Sequence, residues 1–242
     1  MRAMKMLASA AVVVTGVVFA AAHRAPEASA AKNTLPVVFI QEVETDSAQS
    51  YAMWVAENNR EAKSKAGAET FVKVFQGETA GPDSGKTFAV ISGESFAMVV
   101  ETQQKLENEP AIVKNRVPMS QIRKLGPQVA LKAVRWDGRN EVSFVSNTRV
   151  TLTDEAGYLN ALGELRSLMD AHDLKDIKVN CSRVVSGKTD YTHLVSLNAP
   201  SAERRAVLMD AIASEPWALE WIAAAAKYRT VVSNGTFKEI TR

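Results

Sequence analysis

The chain carries one structural unit twice. From Ser95 onward, residues return at a spacing of 106: Ser95, Glu109-Pro110, Arg123, Lys132 and Val134 recur as Ser201, Glu215-Pro216, Arg229, Lys238 and Ile240. Upstream the match is looser, with Ser47, Tyr51 and Val55 facing Asp154, Tyr158 and Leu162. A unit of this length is a whole supersecondary assembly. Two copies are expected to pack on each other about a pseudo-two-fold axis.

The first thirty residues predict an export signal. Arg2 and Lys5 give a positive start, Leu7 to Ala22 is an apolar run, and Ala28-Ser29-Ala30 is a small-x-small cleavage site. The run is a little short for a membrane span, and an uncleaved anchor is the competing reading. The expected location is periplasmic or secreted, with no membrane attachment after cleavage. The whole chain has 29 basic and 27 acidic residues. The leader holds Arg2, Lys5, Arg24 and Glu27, so the remainder is balanced. A nucleic-acid partner is not expected from such a balance. The basic stretch from Lys114 to Arg139 reads as a solvated face. Cys181 is the single cysteine. It excludes an internal disulfide, and its alternation with Ile177 and Val179 predicts a buried, inert thiol.

Apolar periodicity and turn chemistry divide each unit in the same way. In the first, strands are expected at Leu35–Val43, Phe71–Phe75, Thr87–Ser92 and Gln128–Val134. Helices are expected after Asp46 or Ser47 and after Ser95, and Glu109-Pro110 opens a further helical turn. The second unit repeats the order: strand Glu141–Leu152, helix Asp154–His172, strands Ile177–Val185 and Tyr191–Leu197, helix Ser201–Ala213, helical turn Glu215–Ala226, strand Thr236–Thr241. The order is β-α-β-β-α-β twice, so the expected fold is α+β with two tandem ferredoxin-like repeats. The boundaries are 1–30 for the signal, 31–135 for repeat 1, 136–140 for the link and 141–242 for repeat 2. Val37-Val38-Phe39-Ile40 and Phe88-Ala89-Val90-Ile91 are continuous apolar runs, which require cover on both faces. The other repeat's sheet is the simplest cover for the second face, giving an intrachain pseudo-dimeric α/β barrel.

The duplicated order and the Glu-Pro element (Glu109-Pro110-Ala111-Ile112, then Glu215-Pro216-Trp217-Ala218-Leu219-Glu220-Trp221) resemble the dimeric α/β-barrel superfamily. That group includes antibiotic-biosynthesis monooxygenases, haem-degrading monooxygenases and chlorite-dismutase-like proteins. The resemblance implies a site between sheet and helices that takes an aromatic substrate or haem. In the haem-degrading branch the roles fall to an Asn, a Trp and a His. Residues of those types here are Asn147, Trp217 or Trp221, and His193, although their spacing does not reproduce that branch's motif. Gln41, Ala111 and Thr87 are the approximate counterparts in repeat 1, so such a site would be one-sided.

Other motifs carry bland readings. Ala80-Gly81-Pro82-Asp83-Ser84-Gly85-Lys86-Thr87 matches a loose phosphate-loop string, but the chemistry needs a helix to follow. A strand follows instead, and a hairpin turn is expected. Ser186-Gly187-Lys188-Thr189 reads as a similar hairpin. His172 sits at a helix C-terminus, where the helix dipole favours it. His193 reads either as a cavity base or ligand or as a satisfied core histidine. The two are far apart, with no carboxylate at ligand spacing, which argues against a zinc site. Trp217 and Trp221 share a helix face, as packing or as a wall for a flat ligand. Two functions remain open. One is binding of a small apolar or aromatic ligand, a protein partner or a second copy of the chain. The other is a monooxygenase-like or haem-handling enzyme with its site in repeat 2.

Overall fold

The computed structural model describes residues 35–66, 71–79, 81–110, 123–141 and 143–241. The expected signal segment and most of the helical turn after Pro110 lie outside these residues. In chain order the elements are β1 (Val37–Thr45), α1 (Ala48–Ala66), β2 (Val72–Thr79), β3 (Thr87–Gly93), α2 (Phe96–Asn108), β4 (Arg123–Trp136), β5 (Phe144–Leu152), α3 (Glu155–Ala171), β6 (Lys178–Ser186), β7 (His193–Ala199), α4 (Ala202–Ser214), α5 (Pro216–Ala225) and β8 (Arg229–Glu239). A single 3₁₀ turn, Ala226–Tyr228, joins α5 to β8.

The strands close into a barrel in the order β1-β3-β2-β8-β5-β7-β6-β4. Each repeat contributes one contiguous half, and the two halves join where β2 meets β8 and where β4 meets β6, both antiparallel. The same two positions of each repeat are used at the two seams, as a pseudo-two-fold axis requires. Closure removes the unpaired edges that a lone four-stranded sheet would expose. Helices cover the outside. The continuous apolar runs therefore face helices with one set of side chains and the barrel interior with the other.

The spacing of 106 has a direct structural expression. Ser95 and Ser201 are both N-caps in extended backbone, and each hydroxyl accepts from the amide three residues on, Met98 and Arg204. Glu109 and Glu215 both end their helices by donating a backbone N–H four residues back, to Lys105 and Ala211. Arg123 and Arg229 repeat a clasp. The Arg123 guanidinium lies 5.7 Å from the Tyr51 ring and 4.9 Å from Trp54. The Arg229 guanidinium lies 5.2 Å from both Tyr158 and Trp221. In each case the arginine also donates to the tyrosine hydroxyl, at 3.4 Å in repeat 1 and 2.5 Å in repeat 2.

Three strands are longer than expected, and β2 runs on through Gly77 to Thr79. β4 begins at Arg123 and runs through Gly126-Pro127, and β8 begins at Arg229 and runs through Ser233-Asn234-Gly235. Both segments read as turns in isolation. In β4 the pairing with β1 is irregular between Gln41 and Val43, and the Gln41 amide donates to the Gly126 carbonyl at 2.5 Å. Such an irregularity accommodates a proline that has no N–H to give. The phosphate-loop string is the β2–β3 hairpin, and the strand β3 follows it. Gly81 (φ 97°) in this hairpin and Gly187 (φ 106°) in the β6–β7 hairpin adopt left-handed backbone. A Cβ at Gly81 would stand 2.6 Å from the Asn234 carbonyl oxygen, so a side chain is excluded there on two counts.

The main core lies between the repeat 2 sheet and its helices, around Val150, Tyr158, Leu162, Met169, Ile177, Val179 and Leu208. The barrel interior is different. Phe88, Val145 and Phe237 pack there with Ile40 and Phe75, the Phe88 and Phe237 rings meeting edge to face at 5.6 Å. A cavity of about 750 Å³ remains beside them. The inner faces thus touch directly at this cluster and face each other across a space beside it.

The two clasps differ in strength, and this is measurable. Tyr158 is fully buried and its bond to Arg229 is short, whereas the Arg123 contact with Tyr51 is long. A hydrogen bond to a charged group contributes about 1.5–3 kcal/mol. Tyr158→Phe is expected to lose stability in that range in urea unfolding, and Tyr51→Phe distinctly less. Equal losses would contradict the asymmetry.

Candidate functional site

A cleft of about 370 Å³ opens between the outer face of β5 and β8 and the helices α4 and α5. Its walls include Leu208, Met209 and Ile212 from α4, Trp217, Trp221 and Ile222 from α5, and Leu197 and Val231 from the sheet. The local sequence explains how it is held. Pro216 starts α5 without needing an N–H donor, and α5 then presents Trp217 and Trp221 one turn apart. Trp221 is fixed by its indole N–H, which donates to the Ala161 carbonyl at 2.7 Å. Trp217 stacks on His172, with ring centroids 4.8 Å apart and planes 15° from parallel. Arg229 is the single charged residue of the cleft wall, and it is already engaged with Tyr158 and Trp221.

Three of the four residues nominated from sequence border the cleft: Trp217, Trp221 and Asn147. Asn147 also borders the barrel interior, where its carboxamide oxygen accepts from the Ser196 hydroxyl at 2.6 Å. His193 points outward from β7 and lines neither cavity. Strand register also revises the counterpart of Asn147. Ile40 pairs with Val90, and Asn147 pairs with Ser196, which lies 106 after Val90. Ile40, rather than Gln41, therefore stands at the equivalent position. The looser upstream spacing of the repeats concealed this one-residue shift.

His193 is 4% exposed and fully satisfied. Its Nε2 lies 2.8 Å from the Glu155 carboxylate, and its Nδ1 lies 2.9 Å from the Thr192 hydroxyl. A neutral ring with the proton on Nε2 meets both partners, donating to Glu155 and accepting from Thr192. Arg183 shares the same carboxylate oxygen at 3.2 Å. Burial holds the His193 pKa below its ordinary value, against the opposing pull of Glu155. Cys181 is fully buried, and burial pushes its thiol up to about 12, with Glu155 adding to the rise. Neither group is placed to attack or ligate a molecule in the cleft.

The donor set of the cleft does not fit a haem. Its walls contain no histidine or cysteine, His172 lies flat on the back of Trp217, and the Met209 sulfur, 3.6 Å from the Ser146 hydroxyl, is the one soft atom present. Among the described residues there is also no cluster of three metal-ligating side chains.

Two outcomes follow. The unfolded chain takes a proton on His193 near pH 6.5, while the folded ring resists it. Stability is therefore whole above that pH and falls as the pH drops through and below it. His193→Gln should flatten this part of the profile in denaturant midpoints taken between pH 7 and 5. An unchanged slope would contradict the assignment. Cys181 should be inert to an aromatic disulfide reagent at pH 8 in the native protein and react at once in denaturant.

No family model matches the sequence, and no curated protein matches it. Solved structures do. A candidate monooxygenase from Lactobacillus acidophilus NCFM is similar over 86% of this chain and 95% of its own, at 11% identity and a TM-score of 0.55. A candidate monooxygenase from Fusobacterium nucleatum is similar over 86% and 94%, at 12% identity and a TM-score of 0.53. An anthrone oxidase-like protein is similar over 85% and 90%, at 12% identity and a TM-score of 0.50. At these identities the likeness is one of fold. With two β-α-β-β-α-β halves closed into one eight-stranded barrel, the chain has the fold of the dimeric α/β-barrel superfamily, with both halves on a single polypeptide.

Proposed function

We propose that the protein is an exported binding protein for a small, flat, apolar or aromatic molecule, held in the cleft of repeat 2 against Trp217 and Trp221. The observation that carries this reading is the cleft itself. Protein interiors hold few voids larger than a water molecule. A space of about 370 Å³, bordering an otherwise close-packed core, has the size of a ligand pocket. Its walls are apolar and aromatic, and its one cation is already occupied by Tyr158. A neutral ring system suits these walls better than an ion does. The same position between sheet and helices is the one the family resemblance implied. The structural neighbours described as monooxygenases and as anthrone oxidase-like support a flat aromatic substrate class as the first to try. The cleft offers binding groups and no acid, base or nucleophile, which favours binding over catalysis.

Anthrone, a neutral tricycle, is the appropriate probe. It is expected to quench the tryptophan emission of the protein saturably. Ile212→Trp, which fills the cleft from α4, should abolish saturable binding while leaving the circular dichroism spectrum intact. Retained binding in that variant would remove the cleft from consideration. Export is checked separately by N-terminal sequencing of the protein recovered from outside the cytoplasm, with a start near Ala31 expected.

A further inference from the structure

The barrel interior has two unlike walls. Register aligns the inward positions of the two repeats one by one. Ile40 corresponds to Asn147, Val90 to Ser196, Phe75 to Ser182 and Ser92 to Asn198. At three of these four pairs, repeat 1 supplies an apolar side chain and repeat 2 an amide or hydroxyl. The cavity of about 750 Å³ between them is therefore more polar on its repeat 2 side, where Val145, Leu194 and Phe237 also reach it.

Its two ends also differ. At the hairpin end Asp83 pairs with Arg149 at 2.5 Å and Lys86 with Glu42 at 3.2 Å, and Lys188 and Asp190 also line the space. At the opposite end, Lys73 is held by Glu239 at 2.7 Å. Arg139 is exposed there, donates to the Ser92 hydroxyl at 3.0 Å, and has no carboxylate partner among the described residues. Beside it Asn198 is only 7% exposed. Its amide N–H donates to the Ser143 hydroxyl at 3.2 Å, and its carbonyl oxygen is buried without a hydrogen-bond partner among the described residues. A buried polar atom left unpaired costs about 1–3 kcal/mol.

We infer that the barrel interior is a second binding site, for a facially amphipathic carboxylic acid. Such a molecule has one apolar side, hydroxyls along the other and a carboxylate at one end. The apolar side lies on Ile40, Phe75 and Val90. The hydroxyls face Asn147, Ser182 and Ser196. The carboxylate sits at the Arg139 end and meets that guanidinium, which has no carboxylate partner among the described residues.

Cholate serves as the probe, followed by calorimetry below its micelle concentration. One molecule per chain is expected to bind. Arg139→Gln, an exposed change that does not threaten folding, should weaken cholate roughly tenfold. The Ser182→Ala/Ser196→Ala pair should weaken cholate while sparing 5β-cholanate, which shares the carboxylate and skeleton but has no hydroxyls. Val90→Trp should abolish binding of both. Ile212→Trp, in the separate cleft, should leave cholate binding unchanged even if anthrone never binds. The proposal is overturned if wild-type protein gives no saturable heat, if Arg139→Gln is without effect, or if Ile212→Trp rather than Val90→Trp removes the binding.

Discussion

Everything in this structure depends on two strand pairings, β2 with β8 and β4 with β6. A ferredoxin-like sheet of four strands leaves two open edges and one uncovered face. Joining two such sheets at both edges resolves the three exposures together. The edges pair, and the inner faces look at each other. Once the barrel is closed, helices are confined to the outside, and every strand residue is assigned to the helix side or the interior. Ion pairs reinforce the joins: Lys73 with Glu239 and Arg205 with Glu78 both bridge the repeats across the β2–β8 seam. The half-buried and buried members of these pairs have more to gain from the contact than a surface pair would.

Closure also explains where the two copies remain alike and where they do not. Positions that build the unit itself are the same kind of residue in both: the serine N-caps, the glutamate at the helix junction, and the arginine clasped to a buried tyrosine. These serve local geometry, which both halves need. Inward positions serve only the shared interior, and there the copies have diverged, with Ile40, Phe75 and Val90 of repeat 1 facing Asn147, Ser182 and Ser196 at the equivalent places of repeat 2. In a true homodimer such a division is forbidden, because each wall would have to be both. Linking the halves in one chain lifts that restriction. The same freedom places the Trp217 and Trp221 wall on one side alone.

The fold was legible because it is written in features that sequence displays well: a repeat spacing, capping serines, and apolar runs too long for a half-exposed sheet. The element order follows from these, and Tyr158, Leu162, Leu165 and Met169 form the buried helix face their spacing implies. Strand ends were less legible. Gly126-Pro127 and Ser233-Asn234-Gly235 carry strong turn chemistry, and pairing with β1 and β5 inside each repeat keeps them extended. The site was partly legible. Trp217 and Trp221 could be placed on one helix face, but whether that face packs solidly or borders a cleft is decided by α4, whose position no local pattern gives. Asn147 and His193 illustrate the harder case. They lie on neighbouring strands, and period-two alternation sends one into the barrel and the other outward. Which of the two directions meets a cavity depends on the register between β5 and β7, and a single residue of slip would exchange them. The unpaired amide of Asn198 had no sequence signal at all, since its environment is assembled from Ser143, the inter-repeat link and the end of β7.

The position of a site and its chemistry are set by different parts of this molecule. The cleft lies where it does because any barrel of this kind must leave helices leaning on the outer face of its sheets. That geometry follows from the fold, and it is shared with proteins only about a tenth identical in sequence. The chemistry follows from the side chains that happen to line the space. Here those side chains are aliphatic and aromatic, with Arg229 already bound to Tyr158 and both described histidines committed elsewhere, His172 to the face of Trp217 and His193 to Glu155. A fold shared with proteins described as monooxygenases therefore does not by itself bring their reaction with it. What it does bring is a pair of spaces on the two sides of one sheet, and the residues that line each one set what chemistry it can meet.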